Sequence, residues 1–235
     1  MDVIIQCAGL GTRLRPLTNT VPKPLIPIAG KGTLERTLEM LPREITRVII
    51  VVGHLADVIK ERIGAQSHER SVIYATQDPL DGTGGCLRQV LRQVPDLSER
   101  FMVIYGDDLY AEQDIAAVAA SSSCALLGLP IIAKGNDTKD AWKVDKEGKP
   151  LTLFRPSPGD HVWMNVGVYL LDHSWFATDP ALVPGKTNEW SLPHAIPQML
   201  AKGIEIRAIP ATFWMPVGSP EELAAAEKAL REQKG

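Results

Sequence analysis

Residues 3–17 read VIIQCAGLGTRLRPL, a short apolar run that passes directly into a glycine-rich loop. The run at residues 3–8 is typical of a buried strand, and residues 9–18 form the loop that follows it, with Lys23 just beyond. In a doubly wound sheet, ligands bind at the carboxyl ends of the strands. Because glycine lets the backbone approach closely and successive amides form a concave anion site, this loop predicts phosphate binding.

Short apolar strands alternate with helical patterns through the first half of the chain. The predicted strands of this half are residues 3–8, 47–53, 71–76 and 101–105. Beyond residue 130, three strands follow one another without helices between them, at residues 141–145, 151–155 and 162–171. We therefore predict an α/β fold with a Rossmann-like doubly wound sheet. This sheet is mixed but predominantly parallel, is flanked by helices, and carries a small antiparallel β extension.

Composition excludes several classes of protein. The 235 residues are 45% hydrophobic and 23% charged, which suffices for a core without disulfide or metal staples. A net charge of −3 predicts no basic surface for nucleic acid or anionic membranes. Cys7, Cys86 and Cys124 are odd in number and widely spaced, which fits a reducing cytoplasm. No apolar run approaches the roughly 20 residues that span a bilayer, and no secretory signal is visible. We expect a cytoplasmic protein that binds neither nucleic acid nor membranes.

Two common phosphate-binding patterns do not fit the glycine-rich loop. Leu14 takes the place of the third glycine of a dinucleotide fingerprint, which disfavours a dehydrogenase. The spacing also lacks the Gly-x4-Gly-Lys-Ser/Thr pattern of P-loop kinases and GTPases. The loop offers instead two cations, Arg13 and Lys23, beside a bent backbone, and this combination suits a polyphosphate.

Further motifs occur in a fixed order along the chain. They are GLGTRLRPLT and PKPL at residues 9–18 and 22–25, Gln77 with GTG at 82–84, GDD at 106–108, NVG at 165–167, and Trp214 with GSP at 218–220. With these motifs the sequence resembles the sugar-1-phosphate nucleotidylyltransferases, also called NDP-sugar pyrophosphorylases. The resemblance covers nearly the whole chain. It implies a single domain, residues 1–235, with a nucleotide-binding half at residues 1–130 and an acceptor half at residues 131–235.

The resemblance implies how a nucleoside triphosphate is bound. In this family the loop wraps the phosphates, so Arg13 would hold the β- and γ-phosphates and Lys23 would neutralise the α-phosphate. Gln77 and Gly82 match the positions that read the base. The implied nucleotide-binding residues are Ala8, Gly9, Gly11, Thr12, Arg13, Lys23, Gln77, Gly82 and Thr83.

Asp107 matches the magnesium ligand of the family, so the resemblance implies Mg²⁺ as cofactor and Arg13, Lys23 and Asp107 as catalytic residues. One protein carboxylate suffices for Mg²⁺ when phosphates and water fill its other positions. The family has a second metal-binding Asp in a Trp-x-Asp-x-Gly pattern, but Pro216 stands there and has no ligand atom in its side chain. Of the two metal-binding carboxylates that the resemblance implies, this sequence therefore retains Asp107 alone.

For the acceptor, the resemblance implies binding by Asp107, Arg155, Asn165 and Glu189. Phe154 and Arg155 stand where the family usually has Glu-Lys, so Arg155 would bind the phosphate bidentately and the sugar-binding Glu is missing. All five tryptophans lie at or after residue 142. We interpret them as core and sugar-stacking residues, with an aromatic cage for a quaternary ammonium group as the alternative.

The leading hypothesis is an Mg²⁺-dependent nucleotidylyltransferase that condenses an NTP with a sugar 1-phosphate to give an NDP-sugar and pyrophosphate. One alternative is a CTP:phosphocholine cytidylyltransferase of the same superfamily. Another is a catalytically silent regulatory subunit that binds a nucleotide or NDP-sugar, which Pro216 and the missing Glu-Lys pair motivate. The residues identify neither the base nor the sugar, and they leave the oligomeric state open, although homo-oligomers are common in the family.

Overall fold

A computed structural model describes residues 1–134 and 140–232. The strands are β1 Asp2–Gln6, β2 Arg47–Val52, β3 Gln66–Ser67, β4 Arg70–Thr76, β5 Arg100–Tyr105, β6 Asp108–Tyr110, β7 Cys124–Ile132, β8 Ala141–Val144, β9 Pro150–Phe154, β10 His161–Asp172, β11 Ile206–Pro210 and β12 Trp214–Pro216. The α-helices are α1 Thr33–Met40, α2 Ala56–Ile63, α3 Gly82–Gln93, α4 Glu112–Ala119, α5 Leu192–Ala201 and α6 Pro220–Glu232. Short 3₁₀ helices occupy Thr12–Leu14, Leu17–Asn19, Lys23–Leu25 and His173–Ala177.

The centre of the fold is a parallel ladder built on β1. Strand β1 pairs in parallel with β2 on one side and with β5 on the other, and β2 continues to β4. Val3, Ile4 and Ile5 are completely buried, as expected for a strand covered on both faces. The carboxyl ends of these strands therefore meet at one edge of the sheet, where the glycine-rich loop begins.

The second half of the chain adds antiparallel pairing to the same sheet. Strand β10 pairs antiparallel with β5 and β7, and β11 joins the far edge in parallel with β7. Strands β8 and β9 extend from β10 as an antiparallel hairpin, and β12 and β6 form a separate two-stranded sheet. The predicted fold, a mostly parallel mixed sheet with a small antiparallel extension, is confirmed.

Helices cover both faces of the large sheet. Helices α3 and α5 pack on one face through Leu87, Val90 and Ile196, together with the buried Trp142 and Trp175. The apolar residues of α1, α2 and α4 pack on the other face; they include Leu34, Leu38, Ile59, Ile115 and Val118. Neighbouring residues of β1 alternate between the two cores because strand side chains point to opposite faces.

Local contacts set details of two helices. In α2, Val58 is 37% exposed, and Ile59 is the residue of that helix that is fully buried. At the start of α6, the Ser219 hydroxyl accepts a hydrogen bond from the amide of Glu222, as an N-cap residue does. The Glu222 carboxylate accepts from the amide of Gly218 at 2.6 Å, so it closes the turn before the helix.

In the two described ranges, no helix has the length and apolar character needed to cross a membrane. The predicted acceptor half contains residues 135–139 and 233–235, which lie outside the described residues.

Candidate active site

Two adjoining cavities open at the carboxyl ends of β1 and β5. The larger, which we call the loop cleft, has a volume of about 770 Å³ and is lined by the glycine-rich loop, Gln77, Gly82 and Thr83. The smaller, which we call the side cavity, has a volume of about 290 Å³ and is lined by Asn165, Trp214 and Pro216 among others. The predicted nucleotide-binding residues other than Arg13 all line the loop cleft; they are Ala8, Gly9, Gly11, Thr12, Lys23, Gln77, Gly82 and Thr83.

Hydrogen bonds to the backbone fix the bend of the glycine-rich loop. Gly11 has a φ of 60° and precedes the first 3₁₀ helix. The buried hydroxyl of Thr18 donates to the Gly11 carbonyl at 2.9 Å, and a ring nitrogen of His54 lies 3.1 Å from the Thr18 carbonyl. The loop thus turns back on itself and is tied to the segment after β2. This closure leaves the backbone of residues 8–12 along the wall of the cleft.

Lys23 and Asp107 form an ion pair at the junction of the two cavities. The Lys23 side chain is only 11% exposed, whereas that of Asp107 is 39% exposed. Tyr105, at the end of β5, lines both cavities as well. Burial raises the pKa of its hydroxyl to about 12, so the hydroxyl is protonated at neutral pH. A cation and a carboxylate therefore meet where the two cavities join, and Tyr105 is part of the wall there.

The side-chain amide of Gln77 has one possible orientation. Its Nε2 atom lies 3.1 Å from a carboxylate oxygen of Asp81 and 2.9 Å from the carbonyl oxygen of Gly82. Both partners only accept hydrogen bonds, so the atom facing them must be the NH₂ group. Gln77 consequently offers its Oε1 atom as an acceptor to the loop cleft.

The side-chain amide of Asn165 is also held in one orientation, but here the oxygen is bound by the protein and the NH₂ group is left. Its Oδ1 atom accepts a hydrogen bond from the Tyr169 hydroxyl at 2.6 Å and from the Trp142 indole at 3.4 Å. An indole N–H only donates, which identifies the oxygen of the amide. Asn165 lines the side cavity, so its NH₂ group is the part of the amide left to donate to a ligand there.

Three other predicted site residues lie away from their expected partners. Arg13 lines the side cavity, where its guanidinium packs against Gly218, and it is not part of the lining of the loop cleft. Glu189, which we assigned to the acceptor, lines the loop cleft beside Gly82. Arg155 is 63% exposed and lies outside the lining of both cavities, 3.4 Å from Asp140.

The small sheet explains the surroundings of Pro216. Pro216 of β12 pairs in register with Asp108 of β6, directly after Asp107. The Asp108 carboxylate is buried and accepts hydrogen bonds from the Trp214 indole at 2.9 Å and from the Val217 amide at 3.4 Å. These hydrogen bonds make Asp108 a buried structural residue that holds β6 to β12.

Sequence reasoning missed Tyr105, Asp140 and the network around Gln77. Tyr105 directly precedes the Gly-Asp-Asp motif, and Asp81 directly precedes Gly82, so position beside a motif was the available signal. Asp140 lines the side cavity without any motif around it. Of the tryptophans, Trp214 lines the side cavity, whereas Trp142 and Trp175 are fully buried in the core. This placement supports the core-filling interpretation over an aromatic cage.

The described residues contain no group of three or more His, Cys, Asp or Glu side chains able to hold a metal ion among themselves. The carboxylate of Asp107 lines both cavities, and its side chain is partly exposed to solvent. Cys7 also lines the loop cleft, but burial and the charge of Asp107 raise the pKa of its thiol well above the usual value. A hard cation such as Mg²⁺ prefers oxygen ligands, so the Asp107 carboxylate is the better candidate there.

A mixed α/β sheet with a glycine-rich loop at the carboxyl ends of its parallel strands is the fold of the nucleotidyltransferases. The chain belongs to the Nucleotidyl transferase family, whose model matches residues 2–233. The resemblance to the sugar-1-phosphate nucleotidylyltransferases is thereby confirmed.

Individual relatives agree with this assignment. The chain is 30% identical over 237 residues to the bifunctional protein GlmU of Methanococcus maripaludis (strain C5), covering 96% of this chain and 53% of that protein. It is 28% identical to the GlmU of Ralstonia pickettii (strain 12J), covering 97% of this chain and 50% of that protein. The chain therefore spans about half the length of the curated relatives it matches.

Solved structures share the fold. A UDP-glucose pyrophosphorylase in complex with UDP-glucose superposes with a TM-score of 0.81 at 18% identity, covering 99% of this chain and 98% of that one. HddC from Yersinia pseudotuberculosis superposes with a TM-score of 0.72 at 21% identity, covering 97% and 99% of the two chains. At these identities the similarity concerns the fold alone.

Proposed function

We propose that the protein transfers a nucleotidyl group from a nucleoside triphosphate to a sugar 1-phosphate, releasing pyrophosphate. The observation that carries this proposal is the Lys23–Asp107 pair at the junction of the loop cleft and the side cavity. Two substrates that meet at one reacting phosphate need two adjoining cavities and a cation where they join. The loop cleft suits the triphosphate, and the side cavity suits the acceptor.

In this proposal the acceptor phosphate oxygen attacks the α-phosphorus in line. A new P–O bond forms, the bond between the α-phosphorus and the bridging oxygen breaks, and pyrophosphate leaves with the electron pair. Lys23 neutralises charge on the α-phosphate, and the amides of residues 8–12 bind the other phosphates. Asn165 donates from its NH₂ group to the acceptor. Positioning and charge stabilisation thus account for the catalysis.

The donor set at the junction fits Mg²⁺. Asp107 offers a partly exposed carboxylate, and a Mg²⁺ site commonly takes one or two carboxylates while phosphates and water complete it. Bound there, Mg²⁺ would supply charge neutralisation on the phosphate oxygens. Pro216 adds no side-chain ligand, and Asp108 already accepts two hydrogen bonds, so we propose Asp107 as the protein's one carboxylate ligand.

The names of similar proteins direct the choice of substrates to test. One structural neighbour is named UDP-glucose pyrophosphorylase and was solved with UDP-glucose. We therefore propose a uridine or thymidine nucleotide with a hexose 1-phosphate as the first pair to test. Within the single domain, we propose that residues 1–130 bind mainly the nucleotide and residues 131–235 mainly the acceptor.

The test is pyrophosphate release with Mg²⁺, using UTP, dTTP, CTP, GTP and ATP against a panel of sugar 1-phosphates and phosphocholine. Lys23→Ala and Asp107→Ala should each lower kcat/KM for the preferred pair by about 100-fold or more, since each removes charge stabilisation at the transferred phosphate. Matched controls are Lys31→Ala and Asp57→Ala, because both residues belong to exposed ion pairs and neither lines either cavity.

Activity with one nucleotide and one sugar phosphate, lost in both site variants and kept in both controls, is the expected result. Turnover of CTP with phosphocholine alone would establish the cytidylyltransferase alternative instead. A folded protein that is stabilised by a nucleotide or NDP-sugar but turns over no pair would contradict the enzyme and support the regulatory subunit.

A further inference from the structure

We propose that Asp81 is a positioning residue for base recognition, which holds Gln77 so that only its Oε1 atom faces the base. The inference rests on the proposed function, because it assigns a nucleotide base to the loop cleft. It names a residue that does not itself line that cleft but reaches it through Gln77.

The first step is the double anchor on Gln77. Its NH₂ group is held by the Asp81 carboxylate at 3.1 Å and by the Gly82 carbonyl at 2.9 Å. A flipped amide would put an oxygen against two acceptors, one of them charged. In the part of the chain that the structure describes, Oε1 takes no hydrogen bond, and Gln77 is 8% exposed. Oε1 is therefore the polar atom that Gln77 keeps for a ligand.

The second step is that Asp81 is itself held in place. Gln89 of α3 donates to the same Asp81 oxygen at 2.9 Å. The Asp81 carbonyl accepts from the Trp190 amide at 2.7 Å. Asp81 is also the N-cap residue of α3, where the positive end of the helix dipole favours a carboxylate. Gln89, Asp81 and Gln77 thus form a chain of hydrogen bonds that runs from the helix to the cleft.

The third step is the shape of the turn. A Cβ atom on Gly85 would lie 2.1 Å from an Asp81 carboxylate oxygen, so the carboxylate rests directly on the Gly85 backbone. Gly82 has a φ of 89°, and a Cβ there would lie 2.3 Å from the Trp190 carbonyl. These contacts show why both positions are glycine and how closely the Asp81 carboxylate is confined.

The chemical consequence concerns the ring nitrogen of the base. Uracil and thymine carry an N–H at ring position 3, which a fixed acceptor can bind. Cytosine carries a lone pair at that nitrogen, which would face the lone pairs of Oε1. If Gln77 were free to flip, its NH₂ group would serve cytosine equally well. Together with the Gly82 carbonyl, Asp81 therefore favours the imide N–H of uracil or thymine, because the two acceptors disfavour the second orientation of Gln77.

The experiment measures nucleotide binding by calorimetry, with Mg²⁺ and without acceptor, for UTP, dTTP, CTP, GTP and ATP. The variants are Asp81→Ala, which removes the acceptor that holds Gln77, Gln77→Ala and the double variant. Asp78→Ala is the matched control, because it makes the same charge change on the same loop, and the Asp78 carboxylate forms no hydrogen bond within the described residues. Wild type should bind UTP or dTTP at least ten-fold more tightly than CTP. Asp81→Ala should reduce that ratio by about ten-fold, the scale of one hydrogen bond to a charged group.

A double-mutant cycle separates positioning from general damage. In the Gln77→Ala background, Asp81→Ala should leave the UTP/CTP ratio unchanged, and Asp78→Ala should leave it unchanged in wild type. Equal loss of discrimination in both backgrounds, or an unchanged ratio in Asp81→Ala, would overturn the inference. Binding of GTP or ATP alone would also overturn it and leave the proposed function standing, whereas binding of none of the five triphosphates would mean that the proposed function itself fails.

A second measurement needs no variant of the protein. A UTP analogue methylated at N3 lacks the imide proton that Oε1 is inferred to accept. Wild type should bind this analogue at least ten-fold more weakly than UTP. Equal binding of the two would overturn the inference even if the Asp81 variants fail to fold.

Discussion

At the scale of single residues, Pro216 stands where the resemblance implied a second metal-binding Asp. It pairs in register with Asp108 and lines the side cavity near Asp107. We expect Pro216→Asp to lower the Mg²⁺ concentration for half-maximal pyrophosphate release by about ten-fold, because ligand charge count raises affinity for hard cations. Calorimetric titration with Mg²⁺ in the presence of nucleotide gives a second readout.

The control for this variant is Pro216→Ala, which removes the ring but adds no carboxylate. It should leave the Mg²⁺ requirement unchanged. If both variants shift the requirement equally, the effect comes from the altered β12 backbone, and the expectation for an added ligand is wrong.

Gly85 provides a test in which no polar group is removed. Alanine in a helix is normally favourable over glycine by about 0.5–1 kcal/mol. Here the added methyl group would displace the Asp81 carboxylate, so we expect Gly85→Ala to destabilise the protein and to weaken base discrimination. In an Asp81→Ala background the same substitution should be tolerated. Thermal denaturation and UTP/CTP binding ratios check both statements; an equal penalty in both backgrounds would contradict them.

Residues that belong to a sequence motif could be predicted from the sequence. Residues whose role depends on a spatial contact in the folded chain could not. Lys23 and Asp107 each belong to a recognisable pattern, and both lie at the junction of the cavities. Asp81 acts through Gln77, and that contact depends on a turn geometry which spacing alone does not specify. Glu189 was assigned to the acceptor, but its loop returns to Gly82, a contact 107 residues away in the chain.

At the scale of elements, an ion pair fixes the start of the central ladder. Asp2 begins β1, Arg47 begins β2, and the two residues pair in register. Arg47 binds both Asp2 oxygens, at 3.0 and 2.6 Å, and the Ser98 amide donates to the same carboxylate. Burial alone would raise the pKa of the Asp2 carboxyl, but these hydrogen bonds lower it below its ordinary value.

We expect Asp2→Asn to lower the free energy of unfolding at pH 7 by about 1.5–3 kcal/mol, the range for hydrogen bonds to charged groups. Because the folded-state pKa is lowered, the stabilisation is present above the unfolded pKa of about 3.9 and is lost as the pH falls through the folded value. The difference between wild type and variant should therefore shrink toward low pH. Urea unfolding at several pH values measures it.

Asp96→Asn is the matched control, because Asp96 pairs with the same Arg47 but its side chain is 72% exposed. It should change stability by less than about 1 kcal/mol, as is usual for surface ion pairs. A pH-independent difference for Asp2→Asn would show that shape, and not charge, accounts for its role.

Two short strands that depend on distant pairing were not predicted from the sequence. Strands β1, β2, β4 and β5 are apolar runs that the local sequence makes visible. Each was predicted within two residues of its ends. Strands β6 and β12 have three residues each and exist because they pair with one another across more than 100 residues of chain. No local pattern carries that information, and a proline within β12 argues against a strand.

At the scale of the whole molecule, the two halves proposed for nucleotide and acceptor share one sheet. Strand β7, Cys124–Ile132, crosses the boundary between residues 130 and 131. Strand β10, from the second half, lies between β5 and β7 of the first and pairs with both. Neither half can bury its strands without the other, so we expect the described fold to unfold as one cooperative unit.

The distribution of tryptophan allows this expectation to be tested without any variant. All five tryptophans lie between residues 142 and 214, and Trp142 and Trp175 are fully buried, so fluorescence reports on the second half. Far-ultraviolet circular dichroism reports on the helices of both halves. The two thermal transitions should coincide, since coincident probes indicate two-state unfolding. A nucleotide at 100 times its Kd should stabilise the fold by about 2.7 kcal/mol and move both transitions together. If the nucleotide shifts only the circular dichroism transition, the halves unfold separately, and the shared sheet is not the cooperative unit.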